Sequence, residues 1–295
     1  MQDLRIAVVQ MICRVGELEA NLETIERYSA AAAGQGVAIA CFPELCICGY
    51  NAGNTAHPEP EPLDGPAVAR LVAIAADKGI TLLAGLLELD RSGITYNAQV
   101  VCDPHGGVGT YRKTHVPTAE IGTWCDGDGL PVFTHEKARY GIEICYDSHF
   151  PEVSTILAEK GAEILFLPHA SAGGGETGET AAAKKARWLR YMPARAYDNT
   201  VYVAVCNQMG DNGAGFDFPG VSFICDPRGV VIAAARGDGE EMVVADLQMV
   251  ELQEARSVTD TFFAIFVGRR CMIAGRGRGA VVADGPVEAF PRSYD

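Results

Sequence analysis

What most limits the fold of this 295-residue chain is the way its apolar runs alternate. DLRIAVVQM, VAIACFPEL and ITLLAGLLEL are short and rich in aliphatic residues, and each reads as a buried strand. Between them, apolar residues recur at helical spacing from Glu17 to Ala33 and from Pro66 to Lys78, with Gly34, Gly36 and Gly79 as stops. A strand–helix–strand order implies crossover connections, hence parallel pairing with helices laid on a sheet face. Further on the pattern changes. TYNAQVVCDPHGGVGTYRKT and GVSFICDPRGVVIAAA each set an Asp-Pro turn ending in glycine between two apolar runs, which predicts hairpins. RYGIEIC, AEILFLPHA, TVYVAVCNQ and EMVVADL read as further strands. Helices are expected from Pro151 to Lys160 and along AAAKKARWLRYMPARAYDN. Crossovers together with hairpins predict a layered α/β fold with mixed sheets, not a purely parallel barrel. No repeat or low-complexity linker interrupts Gln2 to Leu252. A single domain over 1–270 is expected, with a C-terminal arm over 271–295 and a glycine-rich loop, SAGGGETGE, at 171–179.

The formal net charge of −14 argues against a nucleic-acid partner, because a phosphate backbone would be repelled. The basic clusters Lys184–Arg190 and Arg269–Arg278 read as a solvated helix face and a tail segment. MQDLRIAVVQMICRV lacks the charged start, long apolar region and cleavage site of a signal peptide, and no stretch is long enough to cross a bilayer. A cytoplasmic location is expected, where cysteines stay reduced.

Ten cysteines make any one of them a weak signal. Cys145, in RYGIEICYDSHFP, stands out because it ends a strand and is followed at once by a tyrosine and an aspartate. A sulfur at a strand's carboxyl end can meet backbone N–H groups, although a buried free cysteine is the commoner use of the residue. Glu44 ends the apolar run AIACFPEL, where a carboxylate is costly unless paired or functional. Lys113 follows the strand of GTYRK. Cysteine nucleophilic catalysis needs a base to activate the thiol, a positive or N–H donor for the oxyanion and exclusion of bulk water. These three residues, each at the end of its own strand, form a more specific constellation than any one alone.

FPEL, YRKTHVP and GIEICYD, in this order, resemble the three signature segments of the nitrilase (carbon–nitrogen hydrolase) superfamily. The resemblance extends to YNA at 96–98, DPHG at 103–106, ARAYDNTVYVAVCNQMG at 194–210, GVSFICDPRGVVIA at 220–233 and EARSVTDTFFAIFVGRR, covering about residues 4–270. It implies a four-layer α-β-β-α sandwich and a cofactor-independent hydrolase without metal, forming a homodimer or larger homo-oligomer. It further implies Cys145 as nucleophile, Glu44 as general base and acid, and Lys113 as oxyanion stabiliser. The backbone N–H of Tyr146 would join the lysine there. Glu120, in EIGTWCDGD, matches the supporting glutamate, although Asp126 stands where the family usually has proline.

The CYD sequence is typical of amidases and carbamoylases, whereas nitrilases more often show CWE. A small amide or carbamoyl compound is therefore the expected substrate. Ser148 and His149 stand where members that bind a substrate carboxylate often carry arginine, which speaks against an acidic, amino-acid-like substrate. Tyr50, His149 and His169 are candidate substrate contacts. Trp124 and Trp188 read as packing aromatics, and His115 as structural. Two rivals belong to other classes. One is a catalytically silent interaction protein of the same fold. The other is metal or redox binding through Cys41, Cys46 and Cys48, with Cys13 as an optional fourth, although their C-x4-C-x-C pattern lacks paired C-x-x-C spacing.

Overall fold

The computed structural model describes residues 1–52, 59–173, 179–237 and 239–257. The first sheet holds β1 (Leu4–Gln10), β2 (Ile39–Cys41), β3 (Thr81–Leu89), β4 (Thr95–Cys102), β5 (Val108–Arg112) and β14 (Glu241–Leu247), in the order β14-β1-β2-β3-β4-β5. The second holds β6 (Phe133–Thr134), β7 (Arg139–Ile142), β8 (Ile164–His169), β9 (Tyr202–Asn207), β12 (Phe223–Cys225) and β13 (Val231–Ala234), in the order β13-β12-β9-β8-β7-β6. In each sheet three central strands pair in parallel, β1-β2-β3 and β7-β8-β9, while the flanking pairs are antiparallel. The mixed sheets follow from the order of helical crossovers and hairpins along the chain. A small hairpin of β10 (Met209–Asp211) and β11 (Asp217–Pro219) stands apart from both sheets and was not foreseen.

Strand periodicity sorts the apolar residues into layers. In β1, Ile6 and Val8 face the space between the sheets, while Ala7 and Val9 face α1 (Leu18–Gly34) and α2 (Pro66–Lys78). In β8, Ile164 and Phe166 face inward, whereas Leu165 and Leu167 pack on α3 (Pro151–Glu159), α4 (Ala181–Trp188) and α5 (Met192–Asn199). Both faces of each central strand are thus apolar, as a strand covered on both sides requires. The result is the α-β-β-α sandwich. The helix α6 (Met249–Ser257) ends the described chain, so the 271–295 arm and the end of the 1–270 domain lie outside the described residues. No helix among the described residues is long and apolar enough to cross a membrane.

Two expectations change. AAAKKARWLRYMPARAYDN is two helices, α4 and α5, because Pro193 has no N–H to give a preceding turn and instead sits in the first turn of α5. VAIACFPEL is a strand only over Ile39–Cys41, with Pro43 just beyond it and Leu45 in the left-handed region at φ +49°. Glu44 therefore belongs to a buried turn beyond the strand.

The two hairpin turns are built alike. Asp103 Oδ1 accepts from the N–H of His105 and Gly107, and Asp226 Oδ1 accepts from Arg228 and Val230. Each aspartate holds its own turn together, which is why Asp-Pro-x-Gly marks them in the sequence.

Candidate active site

The carboxyl ends of β2, β5, β7 and β8 converge on one buried cluster. Glu44 follows β2, Lys113 follows β5 directly, Cys145 follows β7, and Ala170 follows β8. Glu44 and Lys113 are both 0% exposed and Glu120 is 2% exposed, so the charges must satisfy one another. The Lys113 ammonium donates to Glu44 Oε1 at 2.8 Å and to Glu120 Oε2 at 2.7 Å. Each carboxylate has further donors. Asn97 Nδ2 donates to Glu44 Oε1 at 2.7 Å, and the Ala170 N–H to Glu44 Oε2 at 2.7 Å. Tyr50 OH donates to Glu120 Oε1 at 2.9 Å, and Trp124 Nε1 to Glu120 Oε2 at 3.1 Å.

One cation between two carboxylates fixes the electrostatics. Burial alone would lower the Lys113 pKa, but the neighbouring Glu44 and Glu120 charges overcome it and raise it. Burial, reinforced by Glu44 and opposed by Lys113, raises Glu120 to about 6. Cys145 is pushed well above the ordinary thiol value, first by burial and then by the Glu44 charge. At rest the sulfur is a thiol. A reaction at Cys145 therefore needs a base to remove its proton, and Glu44, whose charge acts on the thiol, is the neighbouring carboxylate able to do so.

The backbone around Cys145 is strained and braced. Cys145 itself sits at φ +48°, a conformation costly to a residue with a Cβ, and opens a single tight turn over Cys145–His149. Asp147, 0% exposed, ties this turn to the loop that follows Lys113. Its Oδ2 accepts from Tyr111 OH at 2.7 Å and the Ile144 N–H at 2.9 Å. Its Oδ1 accepts from Thr114 Oγ1 at 3.0 Å and the His115 N–H at 2.8 Å, and lies 2.9 Å from His115 Nδ1. The hydrogen bond to Asp147 raises the His115 pKa, and the ring stacks on Phe150 at 3.9 Å. Asp147 thus sets the lysine's loop against the cysteine's turn.

The remaining candidates are dispersed around this cluster. The Tyr50 hydroxyl is committed to Glu120, and its ring meets Trp124, Phe216 and Phe218 edge-on. Trp124, expected only to pack, also donates to Glu120. His149 is exposed, with its ring 4.9 Å from Tyr191 and 5.3 Å from Tyr146. His169 is buried against Trp188 at 4.5 Å. Its Nδ1 lies 2.8 Å from the Leu167 carbonyl and so carries the proton, while burial lowers its pKa to about 3. It is a neutral ring that braces the loop after β8.

Four contributors escaped sequence reasoning: Asn97, Asp147, the Ala170 N–H and Gln208, whose Nε2 donates to the Glu44 carbonyl at 2.8 Å. Asn97 had a usable signal, as an amide in the apolar run TYNAQVV must find a buried partner. The rival cysteine set is not gathered. Cys13 and Cys46 pack under α1 and α2, Cys41 lies between the sheets against Cys206, and Cys48 packs with Leu45 and Trp124. Among the described residues no group of three or more histidine, cysteine or acidic side chains is placed to hold a metal.

A family model described as Carbon-nitrogen hydrolase matches residues 5–257, nearly the whole described chain. The chain belongs to the carbon-nitrogen hydrolase family. This hydrolase is 31% identical over 274 residues to a protein named nitrilase from Pyrococcus abyssi, covering 88% of this chain and 96% of the relative. It is 29% identical to an (R)-stereoselective amidase from a Pseudomonas species, covering 92% and 93% of the two chains. Among solved structures, an amidase from a Nesterenkonia species superposes with a TM-score of 0.71 at 27% identity, covering 90% of this hydrolase and 95% of that chain.

Proposed function

We propose that this hydrolase cleaves the carbon–nitrogen bond of a small amide through a thioester on Cys145, releasing ammonia or an amine. The observation that carries the reading is the buried Lys113 ammonium bridging Glu44 and Glu120, with the Glu44 charge helping to hold the neighbouring Cys145 as a thiol. Glu44 takes the thiol proton as Sγ attacks the amide carbon. The charge that develops on oxygen meets the Lys113 ammonium and the Tyr146 N–H. Glu44 returns the proton to nitrogen, the carbon–nitrogen bond breaks, and ammonia leaves a thioester behind. Glu44 then takes a proton from water as that water attacks the thioester, and gives it back to sulfur as the carboxylic acid departs. Glu120, held by Tyr50 and Trp124, keeps the ammonium in place throughout. The relatives named amidases support an amide substrate, as does a cysteine-to-alanine mutant of the Nesterenkonia amidase in complex with butyramide.

Ammonia release from aliphatic amides, N-carbamoyl amines, N-carbamoyl amino acids and nitriles tests the reading. Aliphatic amides are expected to give the highest kcat/KM. Turnover of nitriles alone, or a carbamoyl compound far ahead of every amide, would replace it with a nitrilase or carbamoylase assignment.

A further inference from the structure

A second charged cluster borders the same site. Lys184, on α4, is 1% exposed, and its Nζ donates to Ser171 Oγ at 2.7 Å and to the Ala172 carbonyl at 2.9 Å. Those residues continue the loop from Ala170, whose N–H holds Glu44. One turn along α4, Arg187 makes a two-pronged pair with Glu179, with Nε–Oε1 at 2.8 Å and Nη2–Oε2 at 2.9 Å. Glu179 Oε2 also lies 3.3 Å from Lys184 Nζ. Trp188 closes the cluster against His169, whose Nε2 is 3.4 Å from Ser148 Oγ in the nucleophile turn. Through the loop after Ala170 and the His169–Ser148 contact, the cluster adjoins both the Glu44 site and the turn that carries Cys145.

Among the described residues, Lys113, Arg195, Lys184 and Arg187 are each engaged. Lys113 serves Glu44 and Glu120, Arg195 donates to the Ser148 carbonyl at 3.2 Å, and Glu179 occupies Lys184 and Arg187. Resting on the amidase reading, we infer that Glu179 is a specificity-determining residue, a built-in carboxylate that saturates Lys184 and Arg187 and so turns away amides bearing a second, anionic carboxylate. A substrate carboxylate would have to displace Glu179 or face its charge; a neutral or cationic amide meets neither cost. Discrimination of this kind comes from an unfavourable contact with the wrong substrate.

Butyramide and succinamate test it, since they match in chain length and differ by a terminal carboxylate. For wild type, kcat/KM for butyramide is expected to exceed that for succinamate by about tenfold or more. Glu179→Gln, which keeps the shape and removes the charge, should shift the ratio toward succinamate by about 10- to 100-fold, the worth of one charge-assisted hydrogen bond. Glu179→Ala should shift it in the same direction. Adding Arg187→Ala to Glu179→Gln should return the ratio toward wild type, which a merely structural role for Glu179 would not do. A wild-type preference for succinamate, or an unchanged ratio in both Glu179 variants, would overturn the role of Glu179 while leaving the amidase reading intact. No ammonia from either amide with wild type would overturn the reading itself, and this inference with it.

Discussion

Lys113→Ala is expected to lower kcat/KM for the best amide by about a thousandfold or more. Loss of one oxyanion donor alone is worth about 10²- to 10³-fold. The lysine does more than that here, because it is the one cation paired with both buried carboxylates among the described residues. Without it Glu44 and Glu120 face each other with no counter-charge, and one of them must take up a proton to relieve the repulsion. Either outcome disables the base or misplaces it. Steady-state ammonia release, with a circular-dichroism spectrum to establish that the variant folds, reads the effect. A folded variant within tenfold of wild type would remove Lys113 from the chemistry.

Glu44→Gln separates the base from the rest of the cluster, and a loss of about 10²- to 10⁴-fold in acylation is expected. A carboxamide cannot accept the thiol proton. It also cannot satisfy its surroundings, because Asn97 Nδ2, Lys113 Nζ and the Ala170 N–H all donate to the Glu44 carboxylate. A glutamine offers one acceptor oxygen, so its own NH₂ must point at a donor, and the thermal midpoint should fall as well as the rate. Intact-mass measurement after mixing with amide follows the thioester directly. Accumulation of that adduct at the wild-type rate would mean that another group takes the proton.

The parts of this arrangement that were legible in the sequence are those governed by local pattern. Alternation of apolar runs located the strands of both sheets except the short β6, and Asp-Pro turns located two hairpins, because Asp103 and Asp226 bond to their own backbones. A carboxylate, a lysine and a cysteine at strand ends could be singled out because each breaks its local pattern. The join between them could not. Glu44 meets Asn97 and Lys113 only once β2, β4 and β5 lie in one sheet, and it meets Ala170 only when the second sheet packs against the first. The aspartate that follows Cys145 and Tyr146 stands out in the sequence but its bracing role was not legible, since the partners of Asp147 (Tyr111, Thr114 and His115) come from the other sheet and the loop that follows it. Glu179 reads as one acid in a glycine-rich loop until α4 brings Lys184 and Arg187 to it. The division of one expected helix into α4 and α5 lay within reach, because Pro193 stood in plain view.

The central claim is that Cys145 forms the bond to the substrate carbon. Ammonia release from butyramide by wild type and by Cys145→Ala, run side by side, tests it most directly. The account predicts steady release by wild type, matched mole for mole by butyrate, and release no faster than the enzyme-free blank by a Cys145→Ala protein of unchanged circular dichroism. Turnover by that variant at a rate near wild type would contradict the account, because no thioester could then lie on the path.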